Sequence, residues 1–295
     1  MKRSVIIALA LSAAAPAVLE AQTISGGLTL SYTRQDLEGS DVNTRGLDGR
    51  METDFGNGFT FGLEVGVSKM SADGSSVDID GEFFALDGGY RFGNGIKAGL
   101  FADRLTLGLG GSLDLTLKTN GLSFGYEKDG IEVEAFVANT SLSLPLPFEI
   151  DNQGISAKYS GVEGLEVGGA FLRAKLSTGG ASEDIDFKGI AASYVVGESF
   201  LLFGGVSRTD IFGLGDLDTV GLGVGYDLSG MAGFASTVSL ELAQTDLGDG
   251  EIDTVRLGVS FPLGKKGPMV PLNSVADSVL NPRHGALNAA LTSAF

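Results

Sequence analysis

The feature that most narrows what this chain can become is a repeated unit. From Gln22 to Phe261, runs that alternate apolar and polar residues return again and again, cut by short glycine-rich turns. The run Asp253 to Phe261, DTVRLGVSF, shows the pattern: Val255, Leu257, Val259 and Phe261 share one face, while Thr254, Arg256, Gly258 and Ser260 share the other. Strand side chains alternate faces with period two, so each run predicts a strand with one apolar and one polar face. The turns lie at Gly56-Asn57-Gly58, Gly93-Asn94-Gly95, Lys128-Asp129-Gly130, 160–164, 196–199 and 229–233. Asn-Gly and Asp-Gly supply the positive φ of tight hairpins. Rising strands are expected to begin at Thr23, Phe59, Ile96, Ile131, Leu165, Phe200 and Ala235, 34 to 37 residues apart. That period is one hairpin plus one longer loop.

The runs have about the length that a tilted strand needs to cross a bilayer, roughly 9 to 11 residues. The N-terminus reads as a secretory leader over 1–21, with basic Lys2 and Arg3, an apolar core from Val5 to Ala15, and Leu19-Glu20-Ala21 before Gln22. Beyond it no segment approaches ~18 consecutive apolar residues, although mean hydropathy is +0.21. Glycine, 46 of 295 residues, is about twice its usual share. An exported, apolar, glycine-rich chain without a helical span is expected to disperse its apolar residues by alternation, as a transmembrane barrel does. The expected fold is all-β: a transmembrane antiparallel up-and-down β-barrel of about fourteen strands (twelve to sixteen) over 22–263. A C-terminal non-barrel tail, 264–295, is placed on the short-turn, periplasmic side, partly helical or disordered. A closing strand ending at Phe295 is the competing reading of its last residues.

Aromatic residues mark the same period. Phe55, Tyr90, Tyr126, Tyr159, Tyr194 and Tyr226 precede turns; Phe59, Phe92, Phe200, Phe234 and Phe261 flank them. Rings that are apolar in body suit a membrane interface, so these predict a girdle at the short-turn end. The opposite connections are longer and acidic, as in 35–43, 71–80, 177–186, 210–218 and 245–251. Long loops on one side and short turns on the other is the asymmetry of an outer-membrane barrel.

Composition excludes several function classes. The 37 acidic against 20 basic residues leave a net charge of −17, opposed to nucleic-acid binding. No cysteine is present, so thiol catalysis, disulfides and thiolate metal sites are excluded. The sole histidine, His284, is placed in the tail beyond the barrel, which leaves no base for a nucleophile in the wall. No catalytic residue, metal site or cofactor is expected. Asp73-Gly74-Ser75 and Asp249-Gly250-Glu251 lack calcium-loop spacing and read as turns.

The inward positions are mostly Gly, Ser and Thr, including Gly221, Gly223 and Gly225, and predict a water-filled bore. Expected pore-lining charges are Arg50, Glu64, Asp87, Glu241 and Arg256 at mid-height. Lower down come Glu52, Asp54, Arg91, Lys97, Glu132, Glu134, Lys158 and Asp227. They are expected to form one charged wall facing a neutral one; the alternative is that they pair and only stiffen the wall. In two places the apolar phase flips. Leu105, Leu107, Leu109, Leu113, Leu115 and Leu117 follow a presumed bulge at Asp103-Arg104, and Leu142, Leu144, Leu146 and Phe148 follow Val137. These predict apolar hairpin faces above or beside the membrane band.

The leader, the alternating strands, the aromatic-flanked turns and the Phe261-ended strand together resemble Gram-negative outer-membrane porins. GVGYDLSGMAG (Gly223 to Gly233) is similar to strand-turn segments of the alphaproteobacterial type. The resemblance implies assembly in the outer membrane, with the Phe-ended strand read by the barrel-assembly machinery. It also implies contact with lipid and lipopolysaccharide, and a possible homo-oligomer. Two features depart from it: 34 residues follow Phe261, and the third loop is leucine-rich with Asp114 its only acid. The expected function is passive diffusion of small hydrophilic solutes or ions with weak cation preference. The alternatives are a specific channel for an apolar or amphipathic solute, or a structural or adhesin-type surface barrel.

Overall fold

The computed structural model describes residues 23–37, 40–74, 78–110, 114–143, 149–178, 181–211, 215–248, 250–264 and 269–294. The leader, Leu113, Leu144, Leu146, Phe148 and Phe295 lie outside the described residues.

Fourteen strands form one closed antiparallel barrel in which sequence neighbours pair and β1 pairs β14. They are β1 (Thr23–Leu37), β2 (Ser40–Asp54), β3 (Phe59–Ala72), β4 (Asp78–Arg91), β5 (Ile96–Gly108), β6 (Asp114–Lys128) and β7 (Ile131–Leu142). The second half is β8 (Glu149–Val162), β9 (Leu165–Thr178), β10 (Ala181–Val196), β11 (Phe200–Ile211), β12 (Gly215–Asp227), β13 (Thr237–Asp246) and β14 (Glu251–Leu263). Closure sets Leu28 opposite Phe261 and Arg34 opposite Val255.

The short turns repeat one device. Asn57 Oδ1 accepts the Phe59 N–H at 3.1 Å, and Asn94 Oδ1 accepts the Ile96 N–H at 3.2 Å. The glycine after each Asn, Gly58 or Gly95, has φ 93° or 91°, which an L side chain rarely adopts. Six of the seven rising strands begin where the repeat places them. The seventh begins at Thr237 rather than Ala235, because a helical turn, α1 (Ser229–Ala232), occupies that connection; Asp227 Oδ1 accepts the Ser229 N–H at 2.8 Å.

The apolar phase points outward. On β14 Val255 and Leu257 are exposed while Thr254, Arg256, Gly258 and Ser260 are buried inside. Leu222 on β12 is 71% exposed. The acidic connections expected as loops are largely strand that extends beyond this apolar band.

The two presumed bulges are absent. The β4–β5 ladder runs unbroken from Arg91–Lys97 to Asp80–Gly108, and β6–β7 from Lys128–Ile131 to Leu117–Leu142. The alternation therefore passes through Asp103-Arg104 unchanged, and Leu105, Leu117 and Leu142 face the lumen, not the outside. The reason is height: above the band, water bathes the outer face, so apolar side chains sit on the inner one. The register shift in the described ladders lies at Tyr159/Val162.

The tail is not outside the barrel. After β14 the chain turns back into the lumen and forms α2 (Val275–Leu280) and α3 (Ala286–Ala294) there. Its last residues are helical, so they are not a closing strand.

Candidate functional site: an occupied lumen

One wall of the lumen receives the two helices. α2 packs on β9, β10, β11 and β12, and Val275, Ala276 and Val279 have no exposed surface. Ala276 and Val279 join Leu172, Phe187, Leu201, Phe203 and Ala289 in a single apolar cluster. Of the inward glycines that predict an open bore, Gly221 is a socket for this segment, whereas Gly223 lies under the Phe203 ring and Gly225 beside Thr237 and Leu201; Gly189 is a second socket. A Cβ at Gly189 would stand 2.6 Å from Val279 Cγ2, and one at Gly221 2.7 Å from Val275 Cγ2. Only hydrogen at these positions lets the helix lie against the strands.

The start of α2 is fixed by polar groups. Ser274 is its N-cap and accepts the Asp277 N–H at 3.1 Å. Glu241 Oε1 accepts the Val275 N–H at 3.0 Å, so an acid of β13 caps a positive helix end. Glu241 also pairs with Arg256, both 2% exposed, and the pair neutralises the two charges inside the wall. Thr29 Oγ1 accepts the Leu272 N–H at 3.1 Å, and Thr237 Oγ1 accepts that of Met269 at 3.1 Å.

The opposite wall, β2 to β8, meets the tail through the link between its helices. Arg50 donates two hydrogen bonds to Asp277, at 2.8 and 3.1 Å, and lies 3.6 Å from Glu64. Arg283 Nε donates to Glu64 Oε1 at 2.8 Å, approaches Asp48 at 3.8 Å, and stands 3.9 Å over the Phe83 ring. His284 Nε2 is 2.8 Å from Glu134 Oε1, and its ring stacks on Phe101 with centroids 3.8 Å apart. Lys158 donates to Asn281 Oδ1 at 2.9 Å while pairing with Glu132 and Glu166 at 3.1 and 3.6 Å. His284 is thus inside the barrel, not beyond it.

The remaining expected charges face the same space below this link. Lys97 pairs with Glu52 at 3.4 Å, and Arg91 bridges Asp54 and Glu127 at 3.2 and 3.3 Å. Asp87 leans over Gly62 of the neighbouring strand. Two cavities follow this wall, of about 800 Å³ between Glu52, Glu132 and Asp277, and about 170 Å³ up to Arg283 and His284. The charged wall and the apolar wall are therefore opposite sides of one barrel, and the tail lies between them.

At the short-turn end the aromatic positions form an outward ring. Phe59 meets Tyr90, Tyr90 meets Phe92 and Phe200 meets Tyr226 edge-on, with centroids 5.0, 4.9 and 5.0 Å apart. Phe234 stacks with Phe261 at 6.0 Å. Phe55, Tyr126, Tyr159 and Tyr194 are exposed on the same end.

Asp48, Asp277, Arg283 and the inward rings Phe83, Phe101, Phe136, Phe187 and Phe203 were not anticipated. Their signal was present in the chain: each phenylalanine occupies the polar phase of its strand.

No family profile matches the sequence, and no curated protein matches it. Solved structures do. A deletion mutant of the monoaromatic hydrocarbon channel TodX is similar over 85% of this chain and 91% of its own, at 12% identity and TM-score 0.55. The anion-selective porin of Comamonas acidovorans covers 82% of this chain and 99% of its own, at 12% identity and TM-score 0.50. These likenesses establish the fold, a bacterial porin-type barrel.

Proposed function

We propose that this protein is an outer-membrane channel that rests closed, with its own C-terminal segment as the stopper. The observation that carries the reading is the division of the lumen. The tail leaves cavities of about 800 and 170 Å³ along the charged wall, and residues 281–284 bar the way above them. Moving that link would join the cavities to the outer mouth and expose Glu64, Asp87 and Glu134. The solutes are then small and hydrophilic, passing passively, and the excess of acids over bases favours cations. The outward apolar faces and the aromatic ring support placement in the outer membrane. The alphaproteobacterial-type resemblance rests on phrases such as Gly223 to Gly233 alone.

The test is planar-bilayer conductance of the full chain against a chain ending at Gly264. The full chain should be silent with brief openings, and the shortened one should show steady steps with a reversal potential shifted toward cations. A folded, shortened barrel without steps overturns the reading.

A second reading is favoured by the inward phenylalanines and by Leu105 and Leu117, which make the outer half of the lumen apolar. An apolar or amphipathic solute would take the place of α3 there. Replacing Leu107 and Leu115 by Ser should then slow uptake of such a solute and leave sugar permeation unchanged.

A further inference from the structure

The one arginine of the tail enters a slot that the wall builds by itself. Asp48 of β2, Gly66 of β3 and Phe83 of β4 are successive register partners, so an acid, a bare backbone and a ring stand side by side on the lumen face. Glu64, two residues from Gly66, faces the same way. Gly66 leaves the hollow: a Cβ there would stand 2.9 Å from Asp48 Oδ1 and 3.7 Å from Arg283 Nη2. The Arg283 guanidinium fills it. Its carbon lies 3.9 Å from the Phe83 ring centroid, Nε donates to Glu64 Oε1 at 2.8 Å, and Nη2 approaches Asp48 at 3.8 Å. The Arg283 side chain is left 13% exposed.

Every wall group of the slot is held without help from the tail. Ladder pairing fixes β2, β3 and β4 against one another. Arg50 of β2 lies 3.6 Å from Glu64 Oε2, which leaves Oε1 for the visitor. The tail contributes the occupant alone, so the slot persists when the tail leaves, with two carboxylates facing a hollow. A ring face beside a carboxylate selects a flat cation. A guanidinium stacks and hydrogen-bonds at once, which a tetrahedral ammonium does not. The next residue repeats the chemistry: the His284 ring stacks on Phe101, 17° from parallel, and bonds Glu134. The cavity of about 170 Å³ along the charged wall passes both rings.

We propose that the slot of Asp48, Glu64 and Phe83 is a binding site for guanidinium-bearing solutes, and that Arg283 occupies it as a stand-in which such a solute displaces. The proposal rests on the reading of the tail as a removable stopper, and it narrows the solute from small cations to planar ones.

The experiment is calorimetric titration of the full chain, in a non-ionic detergent, with agmatine, a dication that carries a guanidinium. The comparison is 1,5-diaminopentane, which has the same charge without the plane. Arg283→Ala, which vacates the slot, should bind agmatine at least tenfold more tightly than the parent does, and at least tenfold more tightly than it binds the diamine. Adding Phe83→Leu to Arg283→Ala should weaken agmatine about fivefold. Retained heat-dependent migration shows that each variant is folded. In a chain carrying Ala289→Cys with Arg283 in place, saturating agmatine should speed maleimide labelling at least fivefold, and the diamine should not. Equal affinity of Arg283→Ala for agmatine and the diamine overturns the proposal, as does equal agmatine binding with and without the Phe83 ring. Unchanged labelling at saturating agmatine overturns the displacement of Arg283. Neither readout needs a current, so a silent planar bilayer would remove the channel reading and leave the slot to be decided on binding.

Discussion

Arg50 and Asp277, 227 positions apart in the chain, are joined by paired hydrogen bonds of 2.8 and 3.1 Å inside the barrel. The Asp277 side chain is 4% exposed and that of Arg50 23%, so the pair spans from buried tail to half-open vestibule. Removing one partner of a buried pair leaves a charge uncompensated, at a cost of about 3–5 kcal/mol when both are sealed. The partial exposure of Arg50 and its second acid, Glu64, reduce the expected loss to about 2 kcal/mol. Asp277→Ala should therefore loosen the tail without unfolding the barrel. Single-channel records should show openings more frequent by over tenfold, and Arg50→Gln with Asp277→Ala should add little to either change alone. Silent records from a folded Asp277→Ala protein would dissociate this pair from closure.

The glycine sockets give a steric counterpart. Gly189→Leu places carbon where Val279 Cγ2 already lies, since even a Cβ there would stand 2.6 Å from it. The same Cβ would stand 2.9 Å from the Val206 carbonyl oxygen of β11, so retained heat-dependent migration is the control that the barrel has formed with the tail displaced. Because the chain has no cysteine, a single Ala289→Cys reports the tail's position; Ala289 is 1% exposed. Maleimide labelling should be slow in the parent and fast in Gly189→Leu. Gly88→Leu, on the outer face with no atom within 4 Å of its Cβ position, should leave labelling slow. Continued protection of the cysteine in Gly189→Leu would show that the helix tolerates the side chain.

The barrel was legible because its signal is local. Turn chemistry at Asn57 and Asn94 and the alternation of β12 or β14 act within a few residues, so strand starts and faces follow from the sequence. The stopper was not legible, because nothing local distinguishes a glycine that faces water from one that faces a helix. Gly221 was read as open bore and is a socket for Val275. Leu105 and Leu117 are a related case: the change of apolar phase at Asp103-Arg104 has the local look of a bulge, whereas the ladder is unbroken and above the band the apolar side chains sit on the inner face. Phe101, Phe136 and Phe203, which occupy the polar phase of their strands, are the local mark of a packed lumen.

The link between the helices offers a separable test. His284 makes two kinds of contact: ring contacts, stacked on Phe101 at 3.8 Å and edge-on to Phe136 at 5.0 Å, and a hydrogen bond to Glu134 at 2.8 Å. Stacked aromatic contacts contribute about 0.5–1.5 kcal/mol, and a hydrogen bond to a charged group about 1.5–3 kcal/mol. His284→Phe keeps the stack and loses the hydrogen bond; His284→Ala loses both. Opening frequency should rise in the order parent, His284→Phe, His284→Ala. If the two variants behave alike, the stack on Phe101 contributes nothing to closure.

The outer surface is tested without touching the lumen. Leu222 lies outward on β12 between the aromatic ring at Tyr226 and the polar rim at Asp218, 71% exposed. A lysine on the lipid face near mid-bilayer costs about 2–4 kcal/mol, falling toward zero near the interfaces. Leu222→Lys should lower folding stability in phospholipid bilayers by that amount, measured by denaturant titration of heat-dependent migration. Lys at Asp218, already in the rim, should cost far less in the same assay once its pair with Arg208 is discounted by the Asp218→Ala control. In detergent micelles, which deform around a charge, the Leu222→Lys penalty should shrink. An equal, small effect of Leu222→Lys in both environments would place water on the leucine–valine faces and remove the membrane from the argument.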